Sequence, residues 1–412
     1  MGTNTQRARA LMELEDKHGA HNYHPLPVVL SEGKGVYVWD VEGKRYYDFL
    51  SAYSAVNQGH SHPAIVDALI RQSTRLSLTS RAFYNDKLGE YEAYITSYFG
   101  YDKVLPMNTG AEAVETAIKL CRKWSYERKG IVENRAKIVV CEQNFHGRTT
   151  TIVSFSVDQE SYQHYGPFTP GFVVIPYNDA AALQKLLEED ADIAGFLVEP
   201  IQGEAGARVP DEGYLKTCYE LCKQHKVLFI ADEVQTGLAR TGKLLACDHE
   251  GVRPDVLILG KALSGGVYPV SAVLADNEYM DVFRPGQHGS TFGGNPVAAS
   301  VAIAALEVIR DEKLDENAAL LGEYFRTAMK ELCNESGIAE HVRGKGLLNA
   351  LIINNSNKKE LAWDICLRLA ENGLLAKPTH TNIIRFAPPL IITMEQMDES
   401  IAIIRSTLKE FS

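Results

Sequence analysis

Two stretches decide the fold: Val227-Leu-Phe-Ile-Ala-Asp-Glu-Val-Gln-Thr-Gly237 and Asp255-Val-Leu-Ile-Leu-Gly-Lys-Ala-Leu-Ser-Gly-Gly266. Each is a short, unbroken apolar run that delivers a charge, Asp232 or Lys261, into a turn of small residues. Runs that are apolar at every position belong to strands covered on both faces. Similar runs at 137–141, 172–175, 195–198 and 270–274 join 227–231 and 256–259 as predicted strands. Ahead of these strands lies a helical stretch, 111–128, with Val114, Ala117, Ile118, Cys121 and Trp124 on one face. Strands alternating with amphipathic helices predict an α/β protein whose mostly parallel central sheet is flanked by helices. A buried strand usually ends in glycine or a cap, so two strands that end in opposite charges point to a site.

Outward from this centre, 36–40 and 44–50, separated by Val41-Glu-Gly43, read as an amino-terminal hairpin. Asn295-Pro296 opens a long helix through Val308, and 342–348 and 383–387 read as strands of a carboxy-terminal α+β lobe. The division expected is 1–53 as an amino-terminal segment of the small domain, 54–312 as the large domain and 313–412 as the carboxy-terminal small domain.

The chain has 412 residues, 45% of them hydrophobic, and a formal net charge of -11. That charge argues against general binding to nucleic acid or an anionic membrane, both of which need a basic face. No apolar stretch approaches the roughly 20 residues needed to span a bilayer. Near the amino terminus Arg7 and Arg9 are followed by Glu13, Glu15 and Asp16, with no apolar secretory core, which predicts a cytoplasmic protein. Seven scattered cysteines form no CxxC pair and suit reduced, buried thiols. The histidine groups His21/His24 and His60/His62 lack zinc spacing, so no metal is predicted.

A lysine and an aspartate each delivered at a strand end are what pyridoxal 5'-phosphate (PLP) chemistry requires. The amine forms a Schiff base, and the carboxylate keeps the pyridine nitrogen protonated. Asn108-Thr-Gly-Ala-Glu-Ala113 precedes the 111–128 helix, where Thr109 can cap it and Gly110 lets an anion approach its free amides. Taken alone, that segment reads better as an ordinary helix cap. In Asn144-Phe-His-Gly-Arg-Thr149, Phe145 could stack on a flat ring and Arg148 could grip a carboxylate, although a buried Phe and a surface arginine are as plausible there. Glu199-Pro-Ile-Gln-Gly-Glu204 ends a further strand with polar groups.

Longer stretches carry a resemblance over nearly the whole chain. They are Asp48-Phe-Leu-Ser-Ala-Tyr-Ser-Ala-Val-Asn-Gln-Gly-His60, Val198-Glu-Pro-Ile-Gln-Gly-Glu-Ala-Gly206, Leu228 to Gly242, Leu259-Gly-Lys-Ala-Leu-Ser-Gly-Gly266, His288-Gly-Ser-Thr-Phe-Gly-Gly-Asn-Pro296 and Val342-Arg-Gly-Lys-Gly-Leu-Leu-Asn349. The sequence resembles the class III, fold-type-I PLP-dependent aminotransferases. The resemblance implies the PLP-dependent transferase fold and transfer of the δ-amino group of L-ornithine to 2-oxoglutarate. It assigns Lys261 to the Schiff base, Asp232 to the pyridine nitrogen, Gln235 to the phenolic oxygen and Phe145 to the ring face. Thr109, Gly110, Ala111 and Glu199 fall in the cofactor site. Ser290 and Thr291 of a neighbouring subunit are expected to complete its phosphate end, which implies a homodimer or a higher oligomer.

For the substrates, the resemblance implies that Tyr53 and Arg148 hold the α-carboxylate of ornithine and that Tyr84 lines the same pocket. Glu204 is expected to mask Arg385 while ornithine reacts and to release it when 2-oxoglutarate binds. His146 departs from members with an aromatic residue there, a change expected to matter little. The alternatives are another class III ω-aminotransferase acting on N-acetylornithine or 4-aminobutyrate, and a PLP decarboxylase or aminomutase of the same fold.

Overall fold

The computed structural model describes residues 5–354, 356 and 360–411. Three short strands come first: β1 (Leu30–Lys34), β2 (Tyr37–Asp40) and β3 (Arg45–Asp48). The predicted hairpin is the β2–β3 pair, and β1 adds to it antiparallel. The large sheet follows, with β4 (Lys103–Met107), β5 (Lys137–Cys141), β6 (Phe172–Ile175), β7 (Ile193–Val198), β8 (Leu228–Asp232), β9 (Val256–Leu259) and β10 (Ser271–Ala275) in the order β4-β10-β9-β8-β7-β5-β6. Only β10 runs against its neighbours; the other adjacent pairs are parallel.

Every residue of β7, β8, β9 and β10 is buried, as unbroken apolar runs require of central strands. Strand β4 escaped the sequence reading because Pro106 interrupts it. Proline is tolerated there because β4 lies at the sheet edge, where a missing N–H leaves no central ladder bond unmade. The Gly110–Trp124 helix buries Ala113, Val114, Ala117, Ile118 and Cys121 against one sheet face. It stops at Trp124, short of the predicted 128, and continues as a single π-turn, Ser125–Lys129, closed by Gly130. On the opposite face the Tyr214–Gln224 helix buries Cys218 and Cys222 beside Val139, Phe196 and Phe229.

In the carboxy-terminal lobe, β11 (Ala339–Lys345), β12 (Leu348–Ile353), β14 (Lys377–Thr379) and β15 (Ile383–Phe386) form a sheet in the order β11-β12-β15-β14, while β13 (Leu374–Leu375) leaves it to pair parallel with β3. Lys44 Nζ reinforces that join by donating to the carbonyls of Ala370 and Glu371. The two chain ends therefore share a layer. One apolar cluster continues from Leu257 and Leu259 of the large sheet to Phe325 and Phe386 of the lobe. Among the described residues, no helix is long and apolar enough to cross a membrane.

Ser51 to Ser54 form a left-handed turn, with φ of 50°, 46°, 59° and 70°. Four successive non-glycine residues in this region are strained, since each brings Cβ toward its own carbonyl. Asp48 anchors the turn: its Oδ1 accepts from the amides of Leu50 and Ser51, and its Oδ2 meets His60 Nε2 at 2.7 Å. His62 contacts Glu312.

Candidate active site

The carboxy-terminal ends of β4, β7, β8 and β9 face one side of the sheet, where open α/β sheets bind ligands. Lys261 follows β9 by two residues, and Asp232 closes β8. Lys261, Asp232, Gly110 and Gln235 line one cavity. The Lys261 backbone has φ 45°, a left-handed conformation that costs a non-glycine residue on the order of 1–3 kcal/mol. Burial pushes its amine down from 10.5 to about 8, and the Arg385 charge acts the same way. The carboxylates of Glu204, Asp232 and Glu199 oppose the shift.

Both oxygens of Asp232 are engaged. Oδ1 accepts from the Val234 amide at 3.1 Å, and Oδ2 lies 2.7 Å from His146 Nδ1. Glu199, at the end of β7, accepts from the Phe145 amide at 2.9 Å through Oε2. Burial raises the Glu199 carboxyl to about 7. Glu199 and Asp232 thus pin residues 145 and 146 to the ends of two neighbouring strands.

Thr109 caps the Gly110–Trp124 helix through a reciprocal pair: its Oγ1 accepts from the Glu112 amide, and Glu112 Oε2 accepts from the Thr109 amide at 2.8 Å. Glu112 also takes the Asn108 amide, which leaves Gly110 and Ala111 as first-turn donors aimed at the cavity. A Cβ on Gly110 would come within 2.9 Å of Val234 Cγ1, so only glycine fits between the helix start and the turn after β8.

A second cluster closes the site toward the carboxy-terminal lobe. Arg385 of β15 donates NH1 to Glu204 Oε1 at 2.7 Å and NH2 to Gln235 Oε1 at 2.8 Å. Gln235 Nε2 then donates to the same Glu204 oxygen at 3.0 Å, closing a triangle. Despite the cost of burial, the charges of Arg385 and Lys261 and the bonds from Gln235 and Arg385 hold the Glu204 carboxyl at about 2. A Cβ at Gly203 would overlap the Gln235 amide, 1.9 Å from Oε1, so the glycine makes room for the triangle. Arg343 clamps the Glu204 loop by donating to the carbonyls of Ala205 and Gly206. Tyr53, presented by the left-handed turn, sets its ring 5.2 Å from the Arg385 guanidinium. Its phenol is raised by burial and by Glu204, against the charges of Arg385 and Arg148.

The structure brings together Lys261, Asp232, Glu199, Phe145, Gly110, Ala111 and Gln235, with Tyr53, Glu204 and Arg385 alongside. Arg148 is exposed at the margin, 5.8 Å from the Phe145 ring. Gln235 is committed to the Glu204–Arg385 triangle, a network not foreseen for it. Tyr84 does not enter the pocket of its own chain: its side chain is fully exposed, because the irregular segment around it projects from the surface. Ser290 Oγ accepts from Asn108 Nδ2 of the same chain at 2.8 Å, and Thr291 is exposed. The sequence reading missed Tyr23 and Lys377, whose Nζ lies 5.9 Å from the Tyr23 ring. No periodicity marks Tyr23, which lies in an irregular segment. His146, whose departure from aromatic-bearing members was expected to matter little, is enclosed with its Nδ1 2.7 Å from Asp232 Oδ2.

The family model described as aminotransferase class-III matches residues 18–408. A mitochondrial ornithine aminotransferase of Drosophila melanogaster is 61% identical over 98% of this chain and 92% of its own. Among solved structures, the acetylornithine aminotransferase of Elizabethkingia anophelis is 64% identical, with a TM-score of 0.91 over 99% of this chain and 100% of that one. The ornithine aminotransferase of Toxoplasma gondii crystallized with oxidized glutathione, with PLP partially occupying its active site, is 47% identical, with a TM-score of 0.96 over 98% of this chain and 94% of that one.

Proposed function

The chain belongs to the class-III aminotransferases, and on that premise we propose that it transfers the δ-amino group of L-ornithine to 2-oxoglutarate, giving L-glutamate 5-semialdehyde and L-glutamate in a ping-pong sequence. The observation that carries this reading is the Glu204–Arg385 pair beside Tyr53, which gives one pocket two settings for substrates of different charge.

The residues present fit pyridoxal 5'-phosphate. Lys261 and Asp232 flank a cavity whose far end offers the Gly110 and Ala111 amides, and Phe145 forms part of its wall. Thr109, Glu199 and Gln235 support these groups. When bound, the cofactor supplies an electron-withdrawing ring that stabilises negative charge on the carbon bearing the transferred nitrogen.

Everything else falls to the chain. Lys261 Nζ, held near a pKa of about 8, is neutral in roughly a tenth of molecules at pH 7, against about one in 3,000 for an unperturbed lysine. It can therefore take a proton from the δ-carbon of ornithine and return it elsewhere without leaving its pocket. Tyr53 and Arg148 orient the donor through its α-carboxylate. Glu204 meanwhile neutralises Arg385, so the carboxylate has no second cation to choose. When the dicarboxylate acceptor enters, Glu204 swings away and Arg385 grips the α-carboxylate while Arg148 takes the distal one. Arginine serves both because its planar fork stays charged. The triangle joins Glu204 and Gln235 to Arg385, and we keep 1–53 and 313–412 as the small domain and 54–312 as the large one, with the pair at their junction.

We also propose a homodimer. Phe83, Tyr84 and Phe292 are exposed large apolar side chains, Phe292 directly beside Ser290 and Thr291 in sequence, and a second copy is the occupant that would bring those two hydroxyls to the phosphate end of its partner's site. Sedimentation tests it, a monomer being the contrary result. We keep a cytoplasmic location as the proposal, although relatives from Drosophila melanogaster and Rattus norvegicus carry mitochondrial names. Recovery with the mitochondrial matrix on cell fractionation would contradict this.

The similarity to the Elizabethkingia structure favours one second reading, N-acetylornithine as donor. An amino-donor panel with 2-oxoglutarate, comparing ornithine, N-acetylornithine, 4-aminobutyrate and lysine, decides between them. Ornithine should lead; equal or better turnover of N-acetylornithine would overturn the substrate assignment. Glutamate formed one for one with donor consumed separates amino transfer from decarboxylation or amino migration.

A further inference from the structure

We infer that Lys377 is the positioning residue that receives Glu204 when the carboxylate leaves Arg385, so that the acid moves between two fixed cations; the inference rests on the two settings of the pair proposed above. Lys377 stands in β14, the edge strand of the carboxy-terminal sheet, and its register partner in β15 is Arg385. Residues directly opposite in an antiparallel pair point to the same face, with Cβ atoms about 4.5–5.5 Å apart. Both cations are therefore rooted side by side on the face that Glu204 meets. Like charges placed directly opposite destabilise a strand pair. A carboxylate that serves each of them in turn accounts for keeping both.

With Glu204 on Arg385, Lys377 is free to receive it. The lysine is half-buried, and among the described residues its Nζ makes no hydrogen bond or ion pair; its contact is with the Tyr23 ring, 5.9 Å away. Burial lowers its amine, and the Glu204 carboxylate acts in the opposite sense, so the two are within electrostatic reach. The other lysines and arginines around Glu204 are committed once the acceptor binds. Its two carboxylates take Arg385 and Arg148, and Lys261 serves the cofactor. Arg343 clamps the carbonyls of Ala205 and Gly206, and Arg208 donates to Gln143 Oε1. Glu204 lies in the loop after β7 with 27% of its side chain exposed, so it can turn without disturbing a strand. Released to water, the carboxylate would give up an ion pair; released to Lys377, it exchanges one for another and opening costs less.

The test uses the holoenzyme and glutarate, an unreactive dicarboxylate of the acceptor's chain length, with binding followed by calorimetry. Exposed ion pairs are worth up to about fivefold in an equilibrium, and a half-buried one exceeds that. Lys377→Met should therefore weaken glutarate about fivefold or more, and Lys377→Arg, which keeps the charge, should restore it to within about twofold. Ornithine reacts with Glu204 still on Arg385, so absorbance of its half-reaction should show a smaller loss than glutarate does. The deciding comparison repeats Lys377→Met in a Glu204→Gln background, where no charge remains to be received and the loss should shrink below about twofold. An equal loss in both backgrounds would mean that Lys377 touches the dicarboxylate itself, and no loss in either would mean that it does nothing; each overturns the inference and leaves the pair's two settings standing. If Glu204→Gln alone fails to tighten glutarate, the two settings fall and the inference with them. Should Lys377→Met not fold, a crystal of the unaltered holoenzyme with glutarate decides: Glu204 within hydrogen-bond distance of Lys377 Nζ is expected, and Glu204 turned to solvent would contradict it.

Discussion

Arg385 and Glu204 share an ion pair at 2.7 Å in which the guanidinium has no solvent exposure while the carboxylate retains 27%. The asymmetry assigns the motion. Arg385 is held within β15, paired with Ala350 of β12, whereas Glu204 sits in a loop with a path to solvent. A gate built this way opens by moving the acid and leaves the base in place for an incoming carboxylate. Leaving the arginine unpaired would be costly, so opening requires the arriving substrate to replace Glu204.

Replacing Glu204 by glutamine retains hydrogen bonding but removes the competing charge. Affinity of the amino-acceptor half-reaction for 2-oxoglutarate should rise about tenfold, the worth of a charge-assisted bond. Ornithine should also begin to react through its α-amine, since Arg385 becomes available to its carboxylate. Product analysis checks this: a Glu204→Gln enzyme that still yields only the semialdehyde, with unchanged acceptor affinity, would contradict the gate.

The same pair predicts an acid limit. The Glu204 carboxyl falls from 4.5 to about 2 in the folded chain, so its stabilising contribution is complete above the ordinary carboxylate range and is lost as pH falls through about 2. The stability difference between the unaltered chain and Glu204→Gln should stay constant above roughly pH 5.5 and shrink progressively below it. Denaturant midpoints across that range measure it; a gap independent of pH down to 3 would be inconsistent with the ion pair.

Lys261 sets a different window. With its amine pushed down to about 8, the apoenzyme should capture pyridoxal 5'-phosphate at a rate that climbs with pH and levels off above about 8. Stopped-flow absorbance gives the midpoint directly. A midpoint near 10.5 would mean that the amine is not buried as described.

Arg240 is the structural counterpart of the gate. Fully enclosed, it donates to Asn57 Oδ1 and to the carbonyls of Leu347 and Pro388, joining the segment after Tyr53 to the segment after Arg385. Burial pushes its guanidinium down to about 9, and Arg385 adds to the shift while Asp48 resists it. Arg240→Met should cost about 3–5 kcal/mol, because it leaves buried acceptors unpaired. Urea denaturation reads this loss, and a change below 1 kcal/mol would refute it.

Much of this was legible in the chain itself, for identifiable reasons. Six of the seven strands of the large sheet announced themselves as continuous apolar runs, since central strands must be covered on both faces. Lys261 and Asp232 stood out as charges at the ends of such runs, whereas Glu204 gained weight only from its company. Strand β4 was hidden by Pro106, which argues against a strand except at an edge, and edges are a property of sheet order. The left-handed turn at Ser51–Ser54 carries no glycine to signal it; Asp48 stabilises it through bonds that only the folded geometry supplies. His146 and Arg240 were opaque because their partners lie 86 and up to 183 residues away in sequence, beyond any periodicity. Tyr84 is fully exposed in its own chain, so its assignment to the site rests on the resemblance alone.

The central claim is that Lys261 carries the cofactor opposite Asp232. Reducing the purified holoenzyme with borohydride makes the lysine–cofactor bond permanent, and peptide mass mapping then locates it. The account predicts the added mass on the peptide containing Lys261 and on no other lysine; a modified lysine elsewhere, or none, would contradict it.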